Sequence, residues 1–183
     1  MAFMGRFFDA LTGSPLRLYL LAFVVSAVSL AAAHAFENFG NMTPCILCLD
    51  QREVHWSGGF LALALMALGA LRRNPRWLVY GLLLLALVYL YSTGLAFYHV
   101  GVEWQWWPGP AACAAGNIET INSGLSLDIG EVNIGPSCAD VPWSLFGISM
   151  AGWNGLISLG LAVMMLAGFA RFGLCKEAGQ PKG

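Results

Sequence analysis

The chain has 183 residues, of which 58% are hydrophobic and 10% charged, with a formal net charge of −1. A soluble domain carries roughly 25% charged residues, so a water-exposed globule is excluded. The near-zero net charge gives no electrostatic pull toward nucleic acid, and no nucleic-acid partner is expected.

Four stretches carry no Asp, Glu, Lys or Arg: Leu18–Phe36, Val54–Leu71, Trp77–Val102 and Val141–Ala170. A spanning helix needs about 20 mostly apolar residues. The second stretch is short by itself and reads as part of a helix that starts earlier, near Cys45. In hydrocarbon only helices or closed barrels satisfy every backbone group. These runs lack the alternation of barrel strands, so four helices follow. Ala33-His34-Ala35 has the small-residue pattern of a signal-peptidase site. The run before it is longer than a signal-peptide core, and three more spans follow, so it reads as a retained first helix.

The basic residues orient the bundle. Arg6 and Arg17 precede helix 1, Arg72, Arg73 and Arg76 lie between helices 2 and 3, and Arg171, Lys176 and Lys182 follow helix 4. This side is cytoplasmic by the positive-inside rule, and both termini lie there. Arg52 alone falls on the other side. Trp56, Trp104, Trp106, Trp107 and Trp143 fall near outer helix ends and Trp77 near an inner one, as an aromatic belt requires.

The expected architecture is an all-α integral membrane protein. It is a single membrane domain over residues 1–183, with helices at about 16–36, 45–71, 77–100 and 142–170. Both termini are cytoplasmic, and a long second extracytoplasmic loop over 101–141 carries two cysteines. Gly, Pro, Asn and Ser recur in that loop. Ile118, Ile121, Leu125 and Leu127 are too weakly periodic for a helix and suit the membrane surface. Pro142 is placed near the start of helix 4, where a missing N–H is harmless.

The chemistry rests on the five cysteines. Cys45 and Cys48 form a C-x-x-C at the outer start of helix 2, Cys113 and Cys138 lie in the outer loop, and Cys175 lies in the cytoplasmic tail. Four are thus in the compartment where disulfides persist, and the odd one is where thiols stay reduced. Thr43 suits the N-cap of helix 2 and Pro44 its first turn. Cys45 and Cys48 then share one face. The free N–H groups of a helix start lower a thiol's pKa and make it a better leaving group and nucleophile. Arg52 lies four residues beyond Cys48 on that face, and Gln51 and His55 extend the polar stripe.

Two readings of Arg52 stay open: a partner for a Cys48 thiolate or a bound electron acceptor, or a snorkelling residue paired with Asp50 or Glu53. Two also remain for His99 at the outer end of helix 3, a member of Arg52's polar pocket or an interfacial histidine. His34 reads as interfacial. A four-cysteine zinc site is the rival for the cysteines, but zinc motifs more often pair two C-x-x-C units, whereas positions 113 and 138 suit a disulfide-closed loop. A purely structural pair is the other rival. A bond between Cys45 and Cys48 closes a very small ring and adds little stability. A transporter is disfavoured because helices 1, 3 and 4 carry no ionisable residue at mid-span.

The sequence resembles the disulfide bond formation protein B (DsbB) family of bacterial inner-membrane thiol oxidases. The resemblance rests on Pro44-Cys45-Ile46-Leu47-Cys48 followed by Gln51-Arg52, on Cys113 and Cys138 in the second outer loop, and on Trp106-Trp107-Pro108-Gly109-Pro110 before Cys113. It implies a multi-pass protein of the bacterial inner membrane with its cysteines facing the periplasm. It further implies a relay in which a periplasmic thioredoxin-fold oxidase (DsbA-like) attacks Cys113 of a Cys113–Cys138 disulfide. Cys138 then attacks Cys45, and Cys48 passes electrons to a membrane quinone (ubiquinone or menaquinone), with Arg52 assisting and His99 a further candidate at the quinone. Vitamin K epoxide reductase-like proteins are the nearest alternative, but in them the loop pair precedes the C-x-x-C, whereas here Cys45 and Cys48 come first.

Overall fold

A computed structural model describes residues 13–71, 75–114 and 136–177. Arg6, Arg72, Arg73, Lys182 and the segment 118–127 lie outside the described residues. Four long helices dominate: α1 (Pro15–Gly40), α2 (Ile46–Leu71), α3 (Pro75–Glu103) and, after a short turn of helix α4 (Ala111–Ala114), α5 (Met150–Glu177). Each of the four is long and apolar enough to cross a bilayer. Large apolar side chains such as Val28, Phe60, Tyr91 and Val163 stand more than half exposed around the perimeter. On a monomer in water such surface signals an interaction face, and on four spans of this length its partner is lipid.

Local chemistry sets the helix ends. The Ser14 hydroxyl accepts the Arg17 N–H at 3.3 Å and Pro15 takes the first turn, so α1 starts where an N-cap and a proline coincide. It ends at Gly40, followed by Asn41 in the left-handed region (φ 51°). The sequence places the ends of α1 and α3 at 36 and 100, while the helices run on to 40 and 103. Charge ends the apolar run, marking the edge of the hydrocarbon, but Glu37 and Glu103 remain good helix residues beyond it.

Two further starts differ from the sequence expectation. The first backbone bond of α2 runs from the Leu49 N–H to the Cys45 carbonyl (3.1 Å), so Cys45, not Thr43, occupies the N-cap. Its sulfur accepts the Cys48 N–H at 3.4 Å, the bond a serine or aspartate oxygen makes in an ordinary cap. The last span starts at Met150, not near Pro142. A small hairpin intervenes, β1 (Ser144–Leu145) with β2 (Ile148–Ser149), closed by Phe146 (φ 53°) and Gly147 (φ 77°). Positive φ at both central residues is the tight hairpin turn that matches strand twist.

The bundle has two cores. In the half away from the cysteines, Leu18, Tyr19, Leu82, Leu85, Leu161 and Met165 belong to one closely packed cluster. At the other end Cys45, Leu47, Val102, Cys113 and Cys138 form a second. The chain after α3 folds back to make it. The Trp107 ring lies so close to Gly101 that any side chain there would clash, and its indole N–H donates to the Tyr98 carbonyl (2.9 Å). Cys113 then sits on α4, its N–H bonded to the Pro110 carbonyl at 2.8 Å.

Candidate functional site: two cysteine pairs and an apolar cavity

The structure brings all four outer cysteines to one end of the bundle. Cys113 and Cys138 are joined by a disulfide. Cys45 and Cys48 are free thiols with their sulfurs 3.1 Å apart. The two members of the second pair face different ways. Cys45 is buried and packs in the cluster that holds the loop disulfide. Cys48 touches that cluster too, but it is partly exposed and lines a cavity of about 300 Å³. The two sulfurs are in hydrogen-bond contact, the Cys45 sulfur accepts the Cys48 backbone N–H, and the His99 ring lies 3.6 Å away. The Cys48 thiol, and after it His99, hold the Cys45 thiol well below the usual thiol range against the opposing effect of burial.

The cavity is walled by Phe36, Pro44, Trp143, Trp153 and Ile157, with Cys48, Gln51, Arg52, His55 and Asn154 as its polar side. Arg52 does not pair with Asp50 or Glu53. Those acids border a separate groove with Tyr91 of α3. Arg52 Nη1 donates to Glu37 Oε2 at 2.5 Å and Nη2 to the Ala33 carbonyl at 3.3 Å, both on α1. His34 Nδ1 lies 3.7 Å from the same Glu37 oxygen. The cation is thereby tethered at the cavity wall next to Cys48. His99 is not on this wall. Gln51 stands between, lining the cavity while its Nε2 meets His99 Nδ1 at 2.8 Å, and His99 sits behind it against Cys45.

Several polar residues that the sequence does not single out complete the site. Asn154 of α5 donates to Gln51 Oε1 (2.6 Å), and its own oxygen accepts from His55 Nε2 (2.7 Å). His55 Nδ1 continues to Ser26 of α1 (3.2 Å), and Ser26 to Tyr89 of α3 (2.9 Å). Glu103 Oε1 lies 4.0 Å from His99 Nε2, and Ser149 donates to Oε2 at 2.5 Å. Among the described residues no buried side-chain nitrogen or oxygen lacks a partner. An Asn and a Ser within otherwise apolar spans are the sequence signal that points to such a network, since a polar group in hydrocarbon needs a partner.

A four-cysteine zinc site is not formed, because Cys113 and Cys138 are bonded to each other. Cys45, Cys48 and His99 bring three ligand-type atoms within 4.8 Å of one another. One disulfide packed against a neighbouring dithiol makes exchange of electrons between sulfurs the chemistry this end of the bundle can perform. Carried on four membrane helices, that places the protein in the class of membrane thiol–disulfide oxidoreductases.

Comparison with known proteins narrows the class. Residues 15–168 match the family model of disulfide bond formation protein DsbB. Disulfide bond formation protein B 2 of Pseudomonas syringae pv. syringae is 32% identical over 157 residues, covering 81% of this chain and 85% of that protein. Disulfide bond formation protein B of Methylobacillus flagellatus is 30% identical over 159 residues, covering 82% and 92%. That of Marinobacter nauticus is 32% identical over 161 residues, covering 81% and 90%. No solved structure matches the chain. The chain belongs to the DsbB family of disulfide bond formation proteins, and it is a multi-pass membrane oxidoreductase of disulfide formation.

Proposed function

We propose that this protein reoxidises a periplasmic thioredoxin-fold disulfide donor (DsbA-like) and passes the electrons through two cysteine pairs to a membrane quinone. The observation that carries the reading is the placement of one pair between two surroundings, with Cys45 buried inside the cluster of the loop disulfide and Cys48, at its edge, the member that lines the cavity. The donor's thiolate attacks Cys113, releasing Cys138. Cys138 attacks Cys45 of the oxidised pair, releasing Cys48. Closing the donor's own disulfide then frees Cys113 from the mixed disulfide, and re-forming Cys113–Cys138 leaves Cys45 and Cys48 as the reduced pair. Two electrons and two protons leave the donor in each cycle.

The cavity suits a quinone ring. Small-molecule sites are mostly apolar, measure about 300–1,000 Å³ and hold a few placed polar groups. Leu30, Phe36 and Trp143 supply apolar surface, and Arg52, Gln51 and Asn154 supply donors. A bound quinone supplies the sink for both electrons and both protons. Arg52, held by Glu37 on the cavity wall beside Cys48, would hold a quinone by a charge-assisted donor and would favour negative charge developing there. The Lys and Arg distribution supports a topology with the four outer cysteines on the non-cytoplasmic side and both termini inside, and membership of the DsbB family supports reading that membrane as a bacterial inner membrane and that side as the periplasm.

The test follows ubiquinone-analogue reduction by absorbance while a reduced thioredoxin-fold dithiol protein is added to the purified chain. Rapid reduction that Cys48→Ser abolishes supports the relay. No electron transfer to quinone by the folded wild type refutes it.

A further inference from the structure

The orientation of one amide fixes the proton of His99. Gln51 Nε2 lies 3.2 Å from the Leu47 carbonyl oxygen, which only accepts, so this atom is the amide nitrogen. The same nitrogen faces His99 Nδ1 at 2.8 Å, so Nδ1 is the acceptor. The other end of the amide is then the oxygen, which takes the Asn154 N–H at 2.6 Å. Asn154 Oδ1 in turn accepts from His55 Nε2 at 2.7 Å, leaving His55 Nδ1 to accept from Ser26. Every amide and ring orientation from His55 to His99 follows from one backbone carbonyl. With Nδ1 accepting, the neutral His99 ring carries its proton on Nε2. That N–H faces the Cys45 sulfur at 3.6 Å, with Glu103 Oε1 at 4.0 Å.

This tautomer is the opposite of what a metal requires. A ligating histidine presents a lone pair to the ion and donates its other ring N–H to a carbonyl or carboxylate. Here the nitrogen facing the sulfurs is protonated, and the nitrogen behind meets a donor. Moving the proton to Nδ1 would set two N–H groups against each other.

We propose that Gln51, locked by Leu47 and Asn154, is the positioning residue that keeps the Cys45, Cys48 and His99 cluster a redox site. It fixes a donor toward the Cys45 sulfur and denies a soft divalent cation its third ligand. The consequence for turnover rests on the reading of Cys45 as an exchange sulfur. The tautomer and the metal affinity need neither quinone nor partner, so their failure is distinguishable from failure of that reading.

The experiment has two arms on the full-length protein in detergent with Cys45 and Cys48 reduced and the loop disulfide intact. In the first, 15N-histidine spectra identify which His99 nitrogen is protonated, assigned by loss in His99→Ala. Wild type shows Nε2–H, and Gln51→Glu, whose carboxylate accepts at both ends, shows a proton on Nδ1. In the second, Zn2+ affinity is read by competition with a chromophoric chelator. His99→Ala leaves wild-type affinity unchanged. Gln51→Glu tightens it by about 10–100-fold, the usual size of an outer-shell effect on metal affinity, and His99→Ala in that background cancels the gain. A wild-type Nδ1–H ring overturns the proposal even where Gln51→Glu does not fold. So does a wild type that loses zinc affinity with His99→Ala, or a folded Gln51→Glu that binds zinc no tighter.

Discussion

The two ends of this bundle are built on opposite terms. The half around Leu82, Leu85 and Met165 is joined almost wholly by close apolar packing, with small residues such as Ala22, Ala62 and Ala162 letting helices approach. The cysteine half is joined by directional contacts: an ion pair, a disulfide and a hydrogen-bonded chain touching all four long helices. Lipid tails are as apolar as leucine, so the packed half gains from fit and dispersion, with little drawn from water exclusion. A cavity belongs in the other half, because directional bonds hold helix ends apart at fixed distances where plain packing would close the gap.

Substitutions that separate the halves test this contrast. The largest effect on chemistry is expected from Cys48→Ser, which removes the sulfur on the cavity wall and abolishes quinone reduction with the helix content unchanged by circular dichroism. Arg52→Ala comes next. It removes a charge-assisted group from the cavity wall and lowers kcat/KM for quinone by about 10–100-fold, the range of a lost electrostatic contact of about 1.4–2.7 kcal/mol. Glu37→Gln frees Arg52 but keeps its charge, so its loss in the same assay is smaller than that of Arg52→Ala. Leu85→Ala in the packed half costs about 2 kcal/mol of stability, at the low end for a core leucine because lipid replaces water as the reference. Activity per folded molecule stays at the wild-type level, which a thermal melt paired with the quinone assay reads out.

A pH titration sharpens the same comparison. The Cys45 thiol is held below the usual range by the Cys48 thiol and His99, so its thiolate persists as pH falls below about 8.5, where a free thiol protonates. Removing His99 takes away a cause of the lowering, so His99→Ala moves loss of the thiolate's ultraviolet absorbance to higher pH. A midpoint for Cys45 at the free-thiol value would contradict this. The smallest effect is expected from Cys175→Ser, which leaves quinone reduction unchanged.

Much of this was legible in the chain. The charge-free runs carry four spans because burying an ion in hydrocarbon is costly at any point along a helix. The C-x-x-C followed by Gln51-Arg52 carries one side of the site because neighbours on one helix face are fixed by the helical repeat. The acid that holds Arg52 is Glu37, on another helix, and the amide that orders Gln51 is Asn154, on a third. Such pairs are set by how helices pack, and spacing within one helix says nothing about them. The same limit explains the reading of Arg52 with Asp50 or Glu53, which are neighbours in sequence but face the α2–α3 groove. The start of α5 escaped for a local reason, since Phe146-Gly147 closes a hairpin with a non-glycine residue in a left-handed conformation.

The division of labour between Cys45 and Cys48 is the central claim, and disulfide trapping tests it most directly. Two variants, both also carrying Cys113→Ser and Cys175→Ser, are exposed to oxidised glutathione and mapped by non-reducing peptide mass spectrometry. With Cys48→Ser, the account predicts a Cys45–Cys138 bond in good yield. With Cys45→Ser, it predicts little or no Cys48–Cys138 bond. Equal trapping of Cys138 by both sulfurs, or trapping by Cys48 alone, would contradict the account.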